Sequence, residues 1–450
     1  MKTHKSKLHE KLVDLRTHYR NQNRTSKRVR GTPANSDATP QQPEKDRKSK
    51  LREAFQRCSS LARQPDILSA FVTQLKANGV AGEKRNAEIL FLVVLTRFLD
   101  EPASVVVKGP SGGGKSFLVE SVLKFFPSEA YFSLTSMSEK ALIYSRESLV
   151  HRMLVICEAA GIPSAKCDLL VRTLLSEHFI KYEVVLPDRT TEVRKRPGPT
   201  GLIQTTTAEK LHPENETRML SLKIRTSHEH TKAVLLAVAT EQPPTIPQLE
   251  HWHALHQWLA LGPTNVRIPF SKCIAENVNA IDVRLSRSFS IVLNLVKAHA
   301  LLHRKTRRRT NDGLIVAELQ DYEAVWKLVK DIVAENIEAG VAPSVRETVQ
   351  AVCTLHKGGK HVSLTSLSEH LDLHKSTVSR RVAEAISLGY VNNLESRDGR
   401  TAKLVPGEPL PEDIEILPSP KTAAVAYART AKAHPKQHAI SKRKKFGLKH

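Results

Sequence analysis

The stretch whose residue types and spacing speak most directly of chemistry is Gly109, Pro110, Ser111, Gly112, Gly113, Gly114, Lys115 and Ser116. It satisfies G-x-x-x-x-G-K-[ST] in full. In such a loop the glycines let backbone N–H groups turn inward around phosphate oxygens. The lysine reaches the β and γ phosphates, and the hydroxyl of Ser116 is placed to ligate Mg²⁺. A helix opening at about 115 aims its positive end at the same anion, and Phe117 just inside it completes the nucleotide-binding set. The flanks fit as well: "SVVV" predicts the strand before the loop and "KSFLVESVLKFF" the helix after it. The expected ligands are ATP and Mg²⁺.

A second group sits in "HRMLVICEAAG", residues 151–161, an apolar run that ends in Glu158. Hydrolases of this class align water through a Glu at a strand end that faces the γ-phosphate. Cys157 stands where such strands usually carry the magnesium-holding Asp. Ser116 and Glu158 are therefore the candidate metal ligands, and Cys157 reads as a small buried neighbour. The plainer alternative is a buried strand with an incidental exposed Glu.

These residues need elements to hold them. Helical patterns cover about 64–78 and 83–99. From the phosphate loop to about 226, short apolar runs alternate with helical stretches, which predicts an α/β fold of three layers. "LLSEHFIKYEVVLPDRTTEVRKRPG", 174–198, reads as a helix end and two strands turning over 187–189. "TGLIQTTTAEKL" then predicts a strand ending in Thr205, Thr206 and Thr207, followed by "ENETRMLSLKI" with Arg218. The run 240–248 looks like a linker. Periodic helices follow at 282–303 and 319–338, and a compact segment at 343–408 has its own pattern.

This succession resembles the AAA+ ATPase core, within it the clade of minichromosome-maintenance helicases. The resemblance implies catalytic roles for Lys115 and Glu158, a first sensor at Thr207 or Thr206, and an arginine finger at Arg218 acting on a neighbouring subunit. It also puts Arg287 in the second-sensor role, with Arg284 as competitor. Over about residues 80–340 the chain is similar to ATP-binding proteins encoded with primase modules in bacterial mobile elements. The phrases "GPSGGGKS", "CEAAG", "LLSE", "GPTGLIQTTT" and "ENETR" carry that likeness. No primase motif is present, so a separate primase is implied as partner. The resemblance further implies a ring or filament of identical subunits.

Residues 363–408 have a winged-helix cadence: a short helix, a turn at "DLH", a second helix "KSTVSRRVAEAISLG", and two strands around "ESRDGR". Such a helix enters the major groove by its N-terminal half while the wing rides on phosphates. The candidate DNA contacts are Lys375, Ser376, Thr377, Ser379, Arg380, Arg381, Arg397, Arg400 and Lys403, with the hairpin tip Arg189 added by analogy with pore hairpins. The alternative is a module that docks protein.

Bulk composition agrees with a polyanion partner. The net charge is +23, and residues 1–50 and 421–450 carry +9 each, so the interior is nearly balanced. Basic arms gain affinity for nucleic acid through counterion release. Five scattered cysteines (Cys58, Cys157, Cys167, Cys273, Cys353) without a CxxC pair argue against a disulfide framework and a zinc ribbon. The histidines of "HWHALHQW" and "HEH" match no metal-site spacing. The longest apolar run, "ILFLVVL", is too short to span a bilayer, and no apolar segment follows the basic N-terminus. A cytoplasmic protein is expected.

The expected architecture has five parts. A disordered basic arm (1–50) precedes a P-loop AAA+ core of α/β/α layers (51–240) and a helical lid (241–340). A winged helix-turn-helix (341–410) and a disordered basic tail (411–450) follow. The expected function is a DNA-binding ATPase working as a helicase-like motor in mobile-element replication. An ATP-dependent regulator reading duplex DNA, and a non-hydrolysing ATP-binding scaffold, remain as alternatives.

Overall fold

The computed structural model describes residues 42–433, apart from 81, 136–137, 139–140, 159–164, 209–210, 212, 225–227, 240–248, 280–283, 339–342, 357–358, 360, 396, 398–399 and 411–414. The basic arm 1–41, the linker 240–248 and the end of the tail, 434–450, lie outside the described residues.

Helix α1, Gln42–Ala62, begins inside the stretch 1–50 expected to be disordered. Ala54, Cys58 and Leu61 recur at helical spacing and are buried, and this apolar face holds the helix despite its many charges. Helix α2, Ile67–Ala77, is capped by Asp66, whose carboxylate accepts from Ser69 N–H at 2.8 Å. Helix α3, Lys84–Leu95, is buried on nearly every side and passes into a 3₁₀ turn, Thr96–Phe98. The helical pattern read to residue 99 therefore closes one turn early, with Thr96 Oγ1 bonded back to Val93 O at 2.6 Å.

The central sheet contains β1 (Val105–Lys108), β2 (Tyr131–Leu134), β3 (Arg152–Ile156), β6 (Thr200–Thr206) and β7 (Leu220–Lys223). Its order is β2-β3-β6-β1-β7, and every pairing is parallel. Side chains alternate across its faces. Val105 and Val107 enter the core covered by α4, Lys115–Leu123, while Val106 enters the opposite core, covered by α5, Ala165–Glu177. Near-continuous apolar strands are what a parallel sheet covered on both faces requires. The α/β/α layering expected from the alternation is present.

Between α5 and β6 stands an antiparallel hairpin of β4, Phe179–Val185, and β5, Thr191–Pro197. Its turn lies at 187–189, where the sequence places it. After β7 come α6 (His228–Ala239), α7 (Glu250–Leu261), α8 (Ser271–Glu276), α9 (Leu285–Leu302) and α10 (Leu319–Glu338). An aromatic knot joins this helical region to the core: Phe71 meets Phe91 at 4.5 Å and Phe125 at 4.8 Å, and Trp252 stands edge-on to Phe125 at 5.3 Å.

A separate hydrophobic core organises α11 (Pro343–Leu355), α12 (Leu364–Leu371), α13 (Lys375–Ser387) and a ribbon of β8 (Val391–Asn393) with β9 (Leu404–Pro406). Ser363 and Ser366 form a reciprocal capping box on α12, and Asp372 ends that helix in the left-handed region at φ 51°. The tail expected to be disordered instead returns to the first core. Ile416 and Leu417 are buried against it, and the Tyr322 hydroxyl donates to Pro418 O at 2.7 Å. Helix α14, Pro420–Ala433, follows, with Tyr427 edge-on to Phe270 at 5.9 Å. Burial of Ile416 and Leu417 outweighs the charge that dominates this region's composition.

Candidate functional site

The phosphate loop leaves β1 at its C-terminal end and feeds α4. Gly112 (φ 74°) and Gly114 (φ 82°) take left-handed conformations that L side chains rarely adopt. Gly113 N–H donates to Pro110 O at 3.1 Å, and a Cβ at 113 would lie 3.0 Å from that oxygen. The loop is thus a closed turn with bare backbone, the form a triphosphate needs. Lys115 is buried and its Nζ donates to Pro110 O at 2.8 Å, across the mouth of the turn. Gly109 N–H pairs with Thr206 O at 3.3 Å and ties the loop to β6. Ser111 is exposed, Ser116 half-buried and Phe117 exposed.

Because β6 lies between β1 and β3, its C-terminal end separates the phosphate loop from the acidic strand. Thr205 is fully buried there, and its Oγ1 accepts from Glu158 N–H at 2.8 Å. Glu158 itself has φ 85°, unusual for a residue with a Cβ, and its side chain is exposed. The Thr205 hydroxyl therefore sets the turn that carries the acidic residue out of the sheet. Thr206 Oγ1 accepts from Ala208 N–H at 3.1 Å, while Thr207 is exposed past the end of β6. The threonine in contact with the acidic strand is thus Thr205, a residue the sequence reading passed over. Only strand register distinguishes it from its neighbours.

Cys157 is half-buried. Burial pushes its thiol pKa up, and the carboxylates of Glu120 and Glu158 push it further in the same direction.

Arg218 lies elsewhere. It precedes β7, whose Leu220 pairs with Val105 at the end of the sheet remote from the phosphate loop. Its Nε donates to Ser176 Oγ at 2.8 Å and its Nη1 to Glu214 O at 2.8 Å. Burial lowers its pKa, and Arg287 and Arg172 nearby lower it further. Arg287 donates to Thr217 Oγ1 at 2.6 Å. The two arginines expected to meet phosphate are thus neighbours at one edge of the domain. Arg284 stands at the cap position just before α9.

In the C-terminal module, Lys375, Ser376, Ser379 and Arg380 are exposed on the first turns of α13, and Thr377 is half-buried. His374 caps this helix, its Nδ1 lying 2.8 Å from Ser376 Oγ. Arg381 differs from expectation: it turns inward to Glu347 of α11 at 2.8 Å. Arg397 and Arg400 are exposed beyond β8, and Lys403 lies 3.4 Å from Glu395. At the hairpin tip Arg189 is exposed with φ 65°.

A buried His299–His303–Asp321 group has metal-like proximity. Its atoms are already engaged. Arg307 and the Glu318 N–H saturate both Asp321 oxygens, and His303 bonds His299 O at 3.0 Å and Ile67 N–H at 3.4 Å. It pins α9 to α10 and α2 instead. The histidines of "HWHALHQW" serve packing: His256 stacks on Phe126 at 4.1 Å, and His253 Nε2 lies 2.9 Å from Lys124 O.

Residues 56–253 are similar to a known P-loop domain, the family described as the MTBMA_p00010 P-loop domain. That match contains the phosphate loop, the acidic strand, the hairpin, β6 and β7. No curated protein matches the chain. Among solved structures, the Orc1 protein of Aeropyrum pernix in complex with DNA aligns at 13% identity, over 83% of this chain and 97% of that one, with a TM-score of 0.26. Drosophila ORC bound to DNA aligns at 11% identity, over 91% and 99% respectively, with a TM-score of 0.24. Among the described residues no helix is long and apolar enough to cross a membrane.

Proposed function

We propose that this chain is an AAA+ ATPase that binds ATP with Mg²⁺, hydrolyses it between identical subunits, and engages DNA as a helicase-like motor in replication of a mobile element. The observation that carries the reading is the way β6 joins phosphate loop and acidic strand: Thr206 O pairs with Gly109 N–H of the loop, and Thr205 Oγ1 accepts from Glu158 N–H. Bound magnesium triphosphate would supply the scissile phosphoanhydride. Lys115 would exchange its Pro110 contact for phosphate oxygens, Ser116 would hold the metal, and Glu158 would orient water and take up its proton. Arg218, at the far end of the sheet from its own phosphate loop, serves the nucleotide of a neighbouring subunit, with Arg287 beside it.

The exposed N-terminal turns of α13, with Lys375, Ser376, Ser379 and Arg380, support DNA contact by a winged helix, Arg397 and Arg400 adding phosphate contacts. That surface equally favours a second reading, an ATP-dependent regulator that reads a duplex site. A separate primase would work beside the motor.

Phosphate release with and without single-stranded DNA discriminates these readings. DNA-stimulated hydrolysis is the expected result, and slow DNA-independent turnover with tight duplex binding indicates the regulator. Arg218→Ala should keep nucleotide binding and lose hydrolysis. Full turnover in that variant refutes the shared-site arrangement.

A further inference from the structure

Five consecutive side chains, Glu214 to Arg218, each bond a side chain from another element. Glu214 pairs with Arg172 of α5, and Asn215 Nδ2 donates to Asp168 Oδ1 of the same helix at 2.7 Å. Glu216 pairs with Lys108 at the end of β1, and its carboxylate also accepts from Leu211 N–H at 3.1 Å. Thr217 Oγ1 accepts from Arg287 of α9 at 2.6 Å, and Arg218 Nε donates to Ser176 Oγ of α5 at 2.8 Å. The one-turn helix Pro213–Glu216 is too short to hold its own shape in water, so these tertiary bonds set its place.

Three of the partners form one row. Asp168, Arg172 and Ser176 follow at intervals of four residues on α5, which places them on one face of the helix at about 6 Å per step. Arg172 Nε lies 3.5 Å from Asp168 Oδ2, so the row is braced along its own length. Segments that only connect elements run loosely over the surface, whereas this one is fixed at every residue.

What the row presents is a guanidinium. Arg218 donates from Nε to Ser176 Oγ and from Nη1 to Glu214 O, both at 2.8 Å, while Nη2 makes no hydrogen bond among the described residues. Two bonds to fixed partners set the plane and direction of the rigid fork and leave Nη2 for an acceptor outside the chain. We propose that Ser176 is the positioning residue for Arg218, its hydroxyl holding the guanidinium in the direction from which it meets the nucleotide of a neighbouring subunit. The proposal rests on the shared-site reading above. Ser176 acts through Arg218 alone, so it governs turnover at the neighbour's site and leaves nucleotide binding in its own subunit unaltered.

The test uses the full chain, with phosphate release for turnover and a fluorescent ATP analogue for nucleotide binding. Ser176 is exposed and lies in a helix, where Ala is favourable, so Ser176→Ala leaves the fold in place. Turnover in that variant should fall by about 10-fold or more, the effect of misplacing a catalytic group. Nucleotide affinity should stay within about twofold of the unaltered chain, and Ser176→Thr, which keeps the hydroxyl, should turn over normally. Mixing separates a displaced arginine from a damaged subunit. Lys115→Ala chains lack a working site of their own but carry an intact Arg218. In an equimolar mixture they should restore roughly half of normal turnover per Ser176→Ala subunit, because head-to-tail contacts then pair sites with neighbours at random. Arg218→Ala should recover in the same mixture to the same extent. Normal turnover in Ser176→Ala overturns the proposal, as does a fall in its nucleotide affinity. A loss that Lys115→Ala chains fail to rescue, while they rescue Arg218→Ala, also overturns it, since Ser176 would then act within its own subunit. If they rescue neither variant, the shared-site reading itself falls.

Discussion

Removing one hydroxyl, with little change in shape, isolates what holds Glu158. In Thr205→Val the Glu158 N–H loses its 2.8 Å acceptor, the buried Thr205 hydroxyl, at a partly buried position. The net loss of such a hydrogen bond costs roughly 0.5–1.5 kcal/mol. The left-handed backbone of Glu158, at φ 85°, costs about 1–2 kcal/mol for a residue with a Cβ. The Thr205 bond offsets that strain, and without it the turn relaxes toward ordinary φ. A bias of about 1.4 kcal/mol lowers the population of the presented carboxylate by roughly tenfold. Hydrolysis measured by phosphate release should fall by about that factor. Nucleotide affinity should change by less than about twofold on the same scale, because Lys115 and the Gly109–Thr206 bond are untouched. The denaturant midpoint should drop by an amount equivalent to about 1 kcal/mol, and Thr205→Ser should behave as wild type. Wild-type turnover and stability in Thr205→Val would refute the idea that this hydroxyl sets the acidic turn.

Ending the chain at Leu410 removes buried Ile416 and Leu417 and the Tyr322–Pro418 bond, so thermodynamic stability measured by urea unfolding should fall by roughly 4 kcal/mol. Burial lowers the pKa of His303 to about 4 and holds that of His256 well below its ordinary value. Both bind protons more readily in the unfolded chain, so their contribution is fully present above about pH 6.5 and is lost as pH falls toward 4, by up to roughly 3 kcal/mol for His303. Glu88, raised by burial to about 7, acts in the opposite sense, losing stability as pH rises through 4.5–7. Unfolding at several pH values should therefore show Glu88→Gln more stable than wild type at pH 8 and equal to it at pH 4.

Local signals were legible and tertiary ones were not. The phosphate loop, the acidic strand and the hairpin each announce themselves within about a dozen residues, through glycine spacing, apolar runs and a turn. Thr205, Thr206 and Thr207 are alike in sequence, and only the pairing of Val107 with Thr205 and the bend at Glu158 select among them. Arg381 looks like its neighbour Arg380, yet α11 lies on its side of the helix and supplies Glu347. The tail misleads because its nine basic residues dominate the composition, whereas in folding free energy the burial of Ile416 and Leu417 counts for more.

The return of the tail has a mechanical side. The chain leaves α10 at Glu338 for the C-terminal module and comes back onto the same helix, where Tyr322 and Trp326 bond Pro418 and Leu417. Twelve residues of rise separate exit and return, or roughly 18 Å along one rod. Helix α10 thus carries both the residue before the exit and the residues that bond the returning chain. The same helix meets the sheet through Lys223–Glu335 at 2.9 Å and α3 through Arg85, whose Nε donates to Leu328 O at 2.7 Å. One rod therefore ties the anchor of the C-terminal module to β7, the strand next to the one that ends in the phosphate loop.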